Sequence, residues 1–378
     1  MKFQVELKKL SEAIAIAGHA VATRGVQPIL SNLLITANDN QLRFVGTDQE
    51  IMMICNCPAQ IETEGHFTIP AKLLQEIISC IPSEPAAMVS FEIDPENDAE
   101  VSISCGRNHF ELQVQSAEEF PPVPVLSGDE MTSFTIETES FHKALKEASI
   151  SIGSEDQNPV QRSVCLDFSD HENPVLVATD SKRLSVTRID NLEVPDEFKN
   201  VYIVPARAVP ELQKLLESTD KIEAGLYKKQ LVFTNPEYQL ITRLIEGKFP
   251  DYNRVLPKES SRKLKINRKE LSQALKAVQP IARNHSGQVR LDISPNETKV
   301  WARSQEQGSA EIFISSELEG ESINIAFNIK FIQDFINVIV DEQVTLEMTT
   351  PAYPGLMKPG NPESEFQYVL MPMAYSDR

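Results

Sequence analysis

No run of this sequence approaches the eighteen or so consecutive apolar residues that a bilayer-spanning helix needs; the densest stretch, FINVIV at 335–340, is short and follows Asp334. The opening residues, MKFQVELKKL, lack a long apolar core and a small-residue cleavage pattern. The expectation is a cytoplasmic protein with no signal peptide and no membrane contact. Cysteine is scarce and odd in number: Cys55, Cys57, Cys80, Cys105 and Cys165 are scattered through 378 residues, which argues against a disulfide framework. Cys55 and Cys57 would share one face of a strand, but no second Cys or His pair stands near to complete a metal shell, so reduced core thiols and no metal are expected. The six histidines fall in no metal or triad spacing, and no glycine-rich phosphate loop is present. These absences weigh against an enzyme that would use Asp180, His142 or Asp251 as acid or base, and no cofactor is expected. Positive charge is also short, with 36 basic against 55 acidic residues and a formal net charge of −19, the opposite of a simple nucleic-acid binder.

What the sequence does have is repetition. KFQVELKKLSEAIAIAGHA from Lys2, SFTIETESFHKALKEASIS from Ser133 and KLKINRKELSQALKAVQPI from Lys263 align, with apolar or small residues at Leu10, Ala13, Ile14 and Ala17, at Phe141, Ala144, Leu145 and Ala148, and at Leu271, Ala274, Leu275 and Val278. Each copy alternates first, as a strand does, and then follows the three-and-four spacing of one helix face. A second series, FTIPAKLLQEII from Phe67, YIVPARAVPELQKLL from Tyr202 and IAFNIKFIQDFINVI from Ile325, gives each copy a second strand and helix. Proline at the strand-to-helix step of the first two suits a helix start, where an N–H would have no partner.

The fold class this predicts is α+β, with three tandem domains at 1–126, 127–257 and 258–378, each with two helices on antiparallel sheets. Proline-rich connectors, EEFPPVPVLSGDE and NRVLPKESSR, fall between them. Three such domains side by side leave two open strand edges, which a twofold partner would close. Twelve helices spaced about 10 Å apart form a circle of about 38 Å, leaving a lumen of roughly 28 Å, wide enough for a nucleic-acid duplex.

At this point several segments converge on one family. PILSNLLI at 28–35, GTD at 46–48, ATDSKRL at 178–184, RLIEGKFPDYNRVLP at 243–257 and YVLMPM at 368–373 resemble, in order and spacing, the beta subunit of bacterial DNA polymerase III, the sliding-clamp family, over essentially the whole chain. The resemblance implies a non-catalytic, ring-shaped homodimer. A clamp loader opens it and places it on double-stranded DNA, where it tethers the DNA polymerase III catalytic subunit and confers processivity. A clamp-like paralogue acting only as a peptide-binding scaffold is the alternative. Encirclement also accommodates the acidic charge, since tight phosphate contacts would impede sliding.

The resemblance further implies a pocket for short peptides of the polymerase, the loader, other polymerases and repair proteins. Motif by motif it comprises Thr179, Ser181, Lys182, Arg183, Leu184, Pro250, Arg254, Val255, Val369, Met371, Pro372 and Met373. On an extended segment Met371 and Met373 would point to one side, their flexible thioethers adapting to several partners, while Arg183 and Arg254 would offer donors to a peptide. Tyr368 and Leu370, which alternate with them, are expected in the core. Ser181 and Lys182 replace the family's frequent Gly-His pair, Gln161 stands where a pocket leucine is common, and AYSDR extends the end toward the pocket mouth. The DNA-facing candidates are Arg24 and Arg207, matched to basic sites of the family, and Lys143, Lys146, Lys269 and Lys276, with Lys8, Lys9 and Lys330 behind them. Phe110 and Leu112 are expected to meet Ile281 of the partner at the dimer interface.

Overall fold

The structure is a computed structural model and describes the chain except residues 24–26, 83, 85, 95–96, 126–130, 171, 284–286 and 375–378. Arg24 and the last four residues of the tail therefore lie outside the described residues. The first repeat runs β1 (Lys2–Glu6), α1 (Leu7–Gly18), β2 (Asn32–Asn38), β3 (Gln41–Thr47), β4 (Ile51–Pro58), β5 (Gln60–Thr63), β6 (Gly65–Pro70), α2 (Ala71–Cys80), β7 (Met88–Asp94), β8 (Asn97–Cys105) and β9 (Asn108–Gln113). The second runs β10 (Thr132–Glu137), α3 (Thr138–Ser149), β11 (Ser163–Asp167), β12 (Val175–Thr179), β13 (Arg183–Arg188), β14 (Val201–Pro205), α4 (Val209–Glu217), β15 (Lys221–Tyr227), β16 (Gln230–Thr234) and β17 (Tyr238–Arg243). The third runs β18 (Arg262–Asn267), α5 (Arg268–Arg283), β19 (Gln288–Ile293), β20 (Glu297–Ser304), β21 (Gly308–Glu319), β22 (Ile323–Asn328), α6 (Ile329–Val338), β23 (Gln343–Met348), β24 (Gly355–Pro359) and β25 (Gln367–Leu370).

All twelve repeat positions singled out on the helices, from Leu10 to Val278, are buried at 3% exposure or less. The small residues among them let backbone approach backbone. Gly46 of β3 shows how closely: a Cβ there would lie 2.1 Å from the Ala17 carbonyl oxygen of α1. Of the second helices, α2 starts directly after Pro70 as the sequence suggests, whereas Pro205 ends β14 and α4 begins only at Val209 with Pro210 in its first turn; α6 is capped by Asn328, which accepts the Lys330 N–H at 2.9 Å.

The chain forms two compact units, and the second repeat contributes to both. One comprises Met1–Thr138 with Arg207–Leu244, the other Glu139–Ala206 with Ile245–Arg378. The first unit holds a five-stranded sheet, β5-β1-β7-β8-β9, and an eight-stranded one, β10-β15-β16-β17-β4-β3-β2-β6, in which repeats one and two join where β17 pairs antiparallel with β4. The second unit holds a twelve-stranded sheet, β14-β11-β12-β13-β25-β24-β23-β18-β21-β20-β19-β22, in which repeats two and three join where β13 pairs with β25. Joining edge to edge satisfies strand N–H and C=O groups that would otherwise stay open to any passing strand.

Two edges remain informative. Among the described residues β9 pairs only with β8, and along it half-buried Phe110 and Leu112 alternate with exposed His109, Glu111 and Gln113. β21 pairs with β20 through Gly308–Ser315 and with β18 only through Ser316–Glu319, so among the described residues the other side of its first part carries no strand.

Candidate functional site

The second unit has a cavity of about 180 Å³ whose walls come from four separate segments of the sequence. Thr179, Ser181, Arg183 and Leu184 come from the β12–β13 hairpin, Pro250, Tyr252 and Val255 from the connector after β17, Val369 and Met371 from the end of β25, and Gln161 from the loop before β11.

The hairpin is built by its own side chains. Asp180 Oδ1 accepts the backbone N–H of Lys182 and Arg183, both at 2.9 Å, and the Thr179 hydroxyl donates to the Arg183 carbonyl at 2.8 Å while accepting the Ser181 N–H at 3.2 Å. These bonds hold Ser181 at φ 71°, a left-handed conformation, at the cavity mouth. The Gln161 amide donates to the Ser181 hydroxyl across that mouth. Asp180, weighed in the sequence as an acid or base, is thus committed to the hairpin.

Leu184 and Val369 form the floor, paired in register across β13 and β25 and buried at 2% and 1% exposure. They belong to a cluster with Cys165, Val177, Val186, Ile203, Phe249 and Leu356, against which Tyr252 also packs. Tyr252 donates to Asp167 Oδ2 at 2.8 Å, and burial, reinforced by that carboxylate, pushes its phenol pKa well up. Val255 and Met371 stand on the rim, 45% and 44% exposed. Together with Ser181 they also line an adjoining cavity of about 700 Å³, whose far wall includes Arg254, Tyr353 and Pro354. The two cavities share Ser181, Val255 and Met371 as lining and adjoin there as two lobes of a groove.

Eight of the twelve predicted pocket residues line the smaller lobe, and Arg254 lines the larger. Lys182 contributes its carbonyl, which accepts the Met371 N–H at 2.9 Å. Pro372 and Met373 line neither lobe, contrary to the expectation that both methionines face one side. Pro372 has no N–H to continue the ladder, and the chain leaves the β13 edge, the Met373 N–H bonding to the Ala326 carbonyl of β22 at 2.8 Å and Gln288 Nε2 to the Ala374 carbonyl at 2.8 Å.

Arg183 also differs from expectation. It is buried at 8% exposure, its Nε on Asp180 Oδ2 at 2.9 Å, its Nη1 on Asp334 Oδ2 at 2.6 Å, and its guanidinium 4.3 Å from the Phe331 ring centroid. It braces the wall and does not reach out to a peptide. Arg254, exposed and paired only with Asp251 at 2.8 Å among the described contacts, retains that capacity. Tyr368 and Leu370 are fully buried, as the alternation predicted. Sequence reasoning missed Tyr252, which sits inside the quoted FPDYNRV motif, and Tyr353 and Pro354, for which no periodicity gave a signal.

The DNA-facing candidates divide. Lys143, Lys146, Lys269 and Lys276 are exposed on α3 and α5, as are Lys8, Lys9 and Lys330 on α1 and α6. Arg207 is engaged: its Nε meets Asp48 Oδ2 at 2.8 Å, its Nη1 meets Glu211 Oε1 at 3.5 Å, and its Nη2 donates to the His19 carbonyl. Among the interface candidates, Phe110 and Leu112 lie on the β9 edge, while half-buried Ile281 lies on α5, which packs against β21. Among the described residues no group of three or more His, Cys, Asp and Glu could hold a metal ion, and no helix is long and apolar enough to cross a membrane.

Three family profiles match the chain: DNA polymerase III beta subunit, N-terminal domain, over residues 1–124, central domain over 135–251 and C-terminal domain over 253–374. A beta sliding clamp of Pseudomonas putida is 27% identical over 376 residues, covering 99% of this chain and 100% of its own. Among solved structures, the DNA polymerase III subunit beta of Pseudomonas aeruginosa superposes with a TM-score of 0.91 at 25% identity, over 99% of this chain and 100% of that one. A sliding clamp of Bartonella birtlesii, solved bound to griselimycin, superposes with a TM-score of 0.91 at 27% identity and the same coverage.

Proposed function

The chain belongs to the DNA polymerase III beta subunit family, the beta sliding clamps, non-catalytic subunits that confer processivity on the polymerase, and from that premise we propose how its residues carry the work. Two copies join head to tail and close around double-stranded DNA, with three domains per copy at 1–126, 127–257 and 258–378. A clamp loader sets the ring in place. The groove beside Met371 takes short peptides of the polymerase III catalytic subunit, the loader, and other polymerases and repair proteins.

One observation carries the peptide reading: four separate segments converge on a floor of Leu184 and Val369, with exposed Met371 at the rim. A rigid apolar floor rewards a large side chain at about 25 cal/mol per Å² buried, and an adaptable thioether accepts side chains of different shape. The two lobes suit a peptide with a pair of large apolar residues, and the Arg254 side chain and the Gln161 amide at the mouth suit its polar groups.

The unpaired edges support closure. β9, with Phe110 and Leu112, can add to the open part of β21 in a second copy, where Ile281 and the 57% exposed Phe313 lie on neighbouring surface. Lys143, Lys146, Lys269 and Lys276 then face DNA, and confinement replaces tight phosphate binding.

Two measurements test this reading. A fluorescein-labelled peptide with a glutamine and a Leu-Phe pair should bind the full chain, and Val255→Glu should weaken it by about tenfold or more, roughly 1.4 kcal/mol; unchanged affinity overturns the pocket. The protein loaded on nicked circular DNA should stay until the circle is cut, and equal retention on linear DNA with free ends overturns encirclement.

A further inference from the structure

The β3–β4 hairpin of the first unit repeats the β12–β13 hairpin bond for bond. The Thr47 hydroxyl donates to the Ile51 carbonyl at 2.7 Å and accepts the Gln49 N–H at 3.0 Å, while Asp48 Oδ1 accepts the N–H of Glu50 at 3.0 Å and of Ile51 at 2.9 Å. Gln49 has φ 73°, as Ser181 has 71°. An arginine holds the second oxygen of each aspartate, Arg207 on Asp48 and Arg183 on Asp180, at 2.8 and 2.9 Å. The neighbouring strand agrees as well: the Arg243 N–H donates to the Glu50 carbonyl at 3.0 Å, as the Met371 N–H does to that of Lys182 at 2.9 Å.

The registers then put Met52 in the place of Leu184, Ile241 in that of Val369 and Arg243 in that of Met371. Phe120 and Pro121 answer Phe249 and Pro250. Met52, Ile241 and Phe120 belong to one buried cluster, as their counterparts Leu184, Val369 and Phe249 do. The corner encloses a cavity of about 500 Å³ that Phe120, Pro121, Met52 and Ile241 line. Its rim is chemically inverted: Glu50 holds the register position of Lys182, and exposed Glu119 stands beside Phe120.

We propose that this corner is a second peptide-binding groove, taking an extended partner segment in which one large apolar side chain adjoins a lysine or arginine. The proposal rests on the reading of the Met371 groove as a peptide site, since it extends that geometry to the earlier repeat. Met52 and Ile241 accept the apolar residue, and because a charged Arg243 stands where the first groove has Met371, the corner offers one apolar subsite in place of a pair. Glu50 and Glu119 outnumber Arg243 on the rim and so favour a cationic neighbour. Gln230 supplies an amide for the peptide backbone, while the Gln49 amide donates to Gln27 Oε1 at 2.8 Å and keeps its oxygen as an acceptor.

The test uses the full chain and three fluorescein-labelled peptides in anisotropy titrations. One carries a single phenylalanine flanked by lysines, the second the same phenylalanine flanked by aspartates, and the third the glutamine with a Leu-Phe pair. The lysine-flanked probe should saturate, weaken about tenfold or more in Glu50→Lys/Glu119→Lys, and ignore Val255→Glu. The third probe should show the converse. A lysine-flanked probe that fails to saturate, that is insensitive to Glu50→Lys/Glu119→Lys, or that binds no better than the aspartate-flanked one overturns the second groove. Loss of sensitivity of the third probe to Val255→Glu instead overturns the reading of the first.

Discussion

Arg183 and Asp334, 151 residues apart in the chain, form an ion pair of 2.6 Å, and Arg183 also reaches the Tyr368 hydroxyl at 3.4 Å. The pair thus fastens the β12–β13 hairpin to α6 and β25, two elements of the third repeat. A guanidinium this deep is stable only because two carboxylates and an aromatic face share it. Arg183→Ala should therefore cost about 3–5 kcal/mol of unfolding free energy, because Asp180 and Asp334 lose a shared partner. Arg183→Lys should recover only part, since one ammonium cannot fork between both carboxylates. Urea unfolding checks both, and an Arg183→Ala protein of unchanged midpoint would show that the contact is dispensable.

Arg207 invites a related prediction. Its partner Glu211 is buried at 4% exposure, with Arg207, Lys214 and His19 as its ion-pair neighbours among the described contacts. Arg207→Ala should lower stability by about 1–2 kcal/mol, between the cost of an exposed pair and of a buried one. Lys143→Ala/Lys146→Ala, in contrast, should cost less stability, since both lysines are exposed, and should reduce the salt slope of DNA binding by about two for each copy in the ring, near 0.9 for each phosphate that a lysine no longer neutralises. Melting curves and salt titrations of both variants separate bracing from DNA contact.

Much of the fold was legible because triplication wrote the same period three times. Leu10, Phe141 and Leu271 occupy one position of one helix face, and all three are buried. The walls of the Met371 groove were legible for a different reason: they were implied by the family resemblance, carried over motif by motif, and the Asp180 bonds that close the hairpin emerge only in the structure. What escaped was anything decided by a distant partner. Arg183 looks in sequence like a surface donor beside Lys182, and only the approach of Asp334 and Phe331 makes it a brace. Met373 follows the alternation of Met371 on paper, but Pro372 interrupts the ladder between them. The match of Glu50 with Lys182 follows from the GTD and ATD triplets two residues before them, but that of Ile241 with Val369 was hidden because the sequence alone does not give the register of β17 and β25.

The cysteines offer a chemical check on the core. Burial pushes the Cys55 thiol up to about 11 and Cys57 up to about 12, and Cys105 and Cys165 are also buried, whereas Cys80 is exposed. Since the thiolate is the reactive form, iodoacetamide at pH 8 should modify Cys80 in the native protein and leave the other four until denaturant is added. Intact-mass measurement reads the result. More than one rapid adduct before unfolding would mean that a β4, β8 or β11 thiol is not enclosed as described.

Glu147 of α3 links pH to stability. It is buried at 4% exposure and accepts the Thr187 hydroxyl at 2.6 Å, and burial raises its pKa above the ordinary carboxylate value, with Asp190 and Asp341 adding to the rise and Thr187 and Lys143 opposing it. The folded chain then holds this proton more tightly than the unfolded one, so stability from this site is greatest below the ordinary carboxylate pKa and falls as pH rises through the raised value. Glu147→Gln keeps an acceptor for Thr187 and removes the titration. The variant should match the parent protein near pH 4 and exceed it at pH 7.5, by about 1.4 kcal/mol for each pH unit that separates the folded pKa from the unfolded one. Unfolding midpoints across that range decide the matter: parallel curves for the two proteins would place the pH dependence elsewhere.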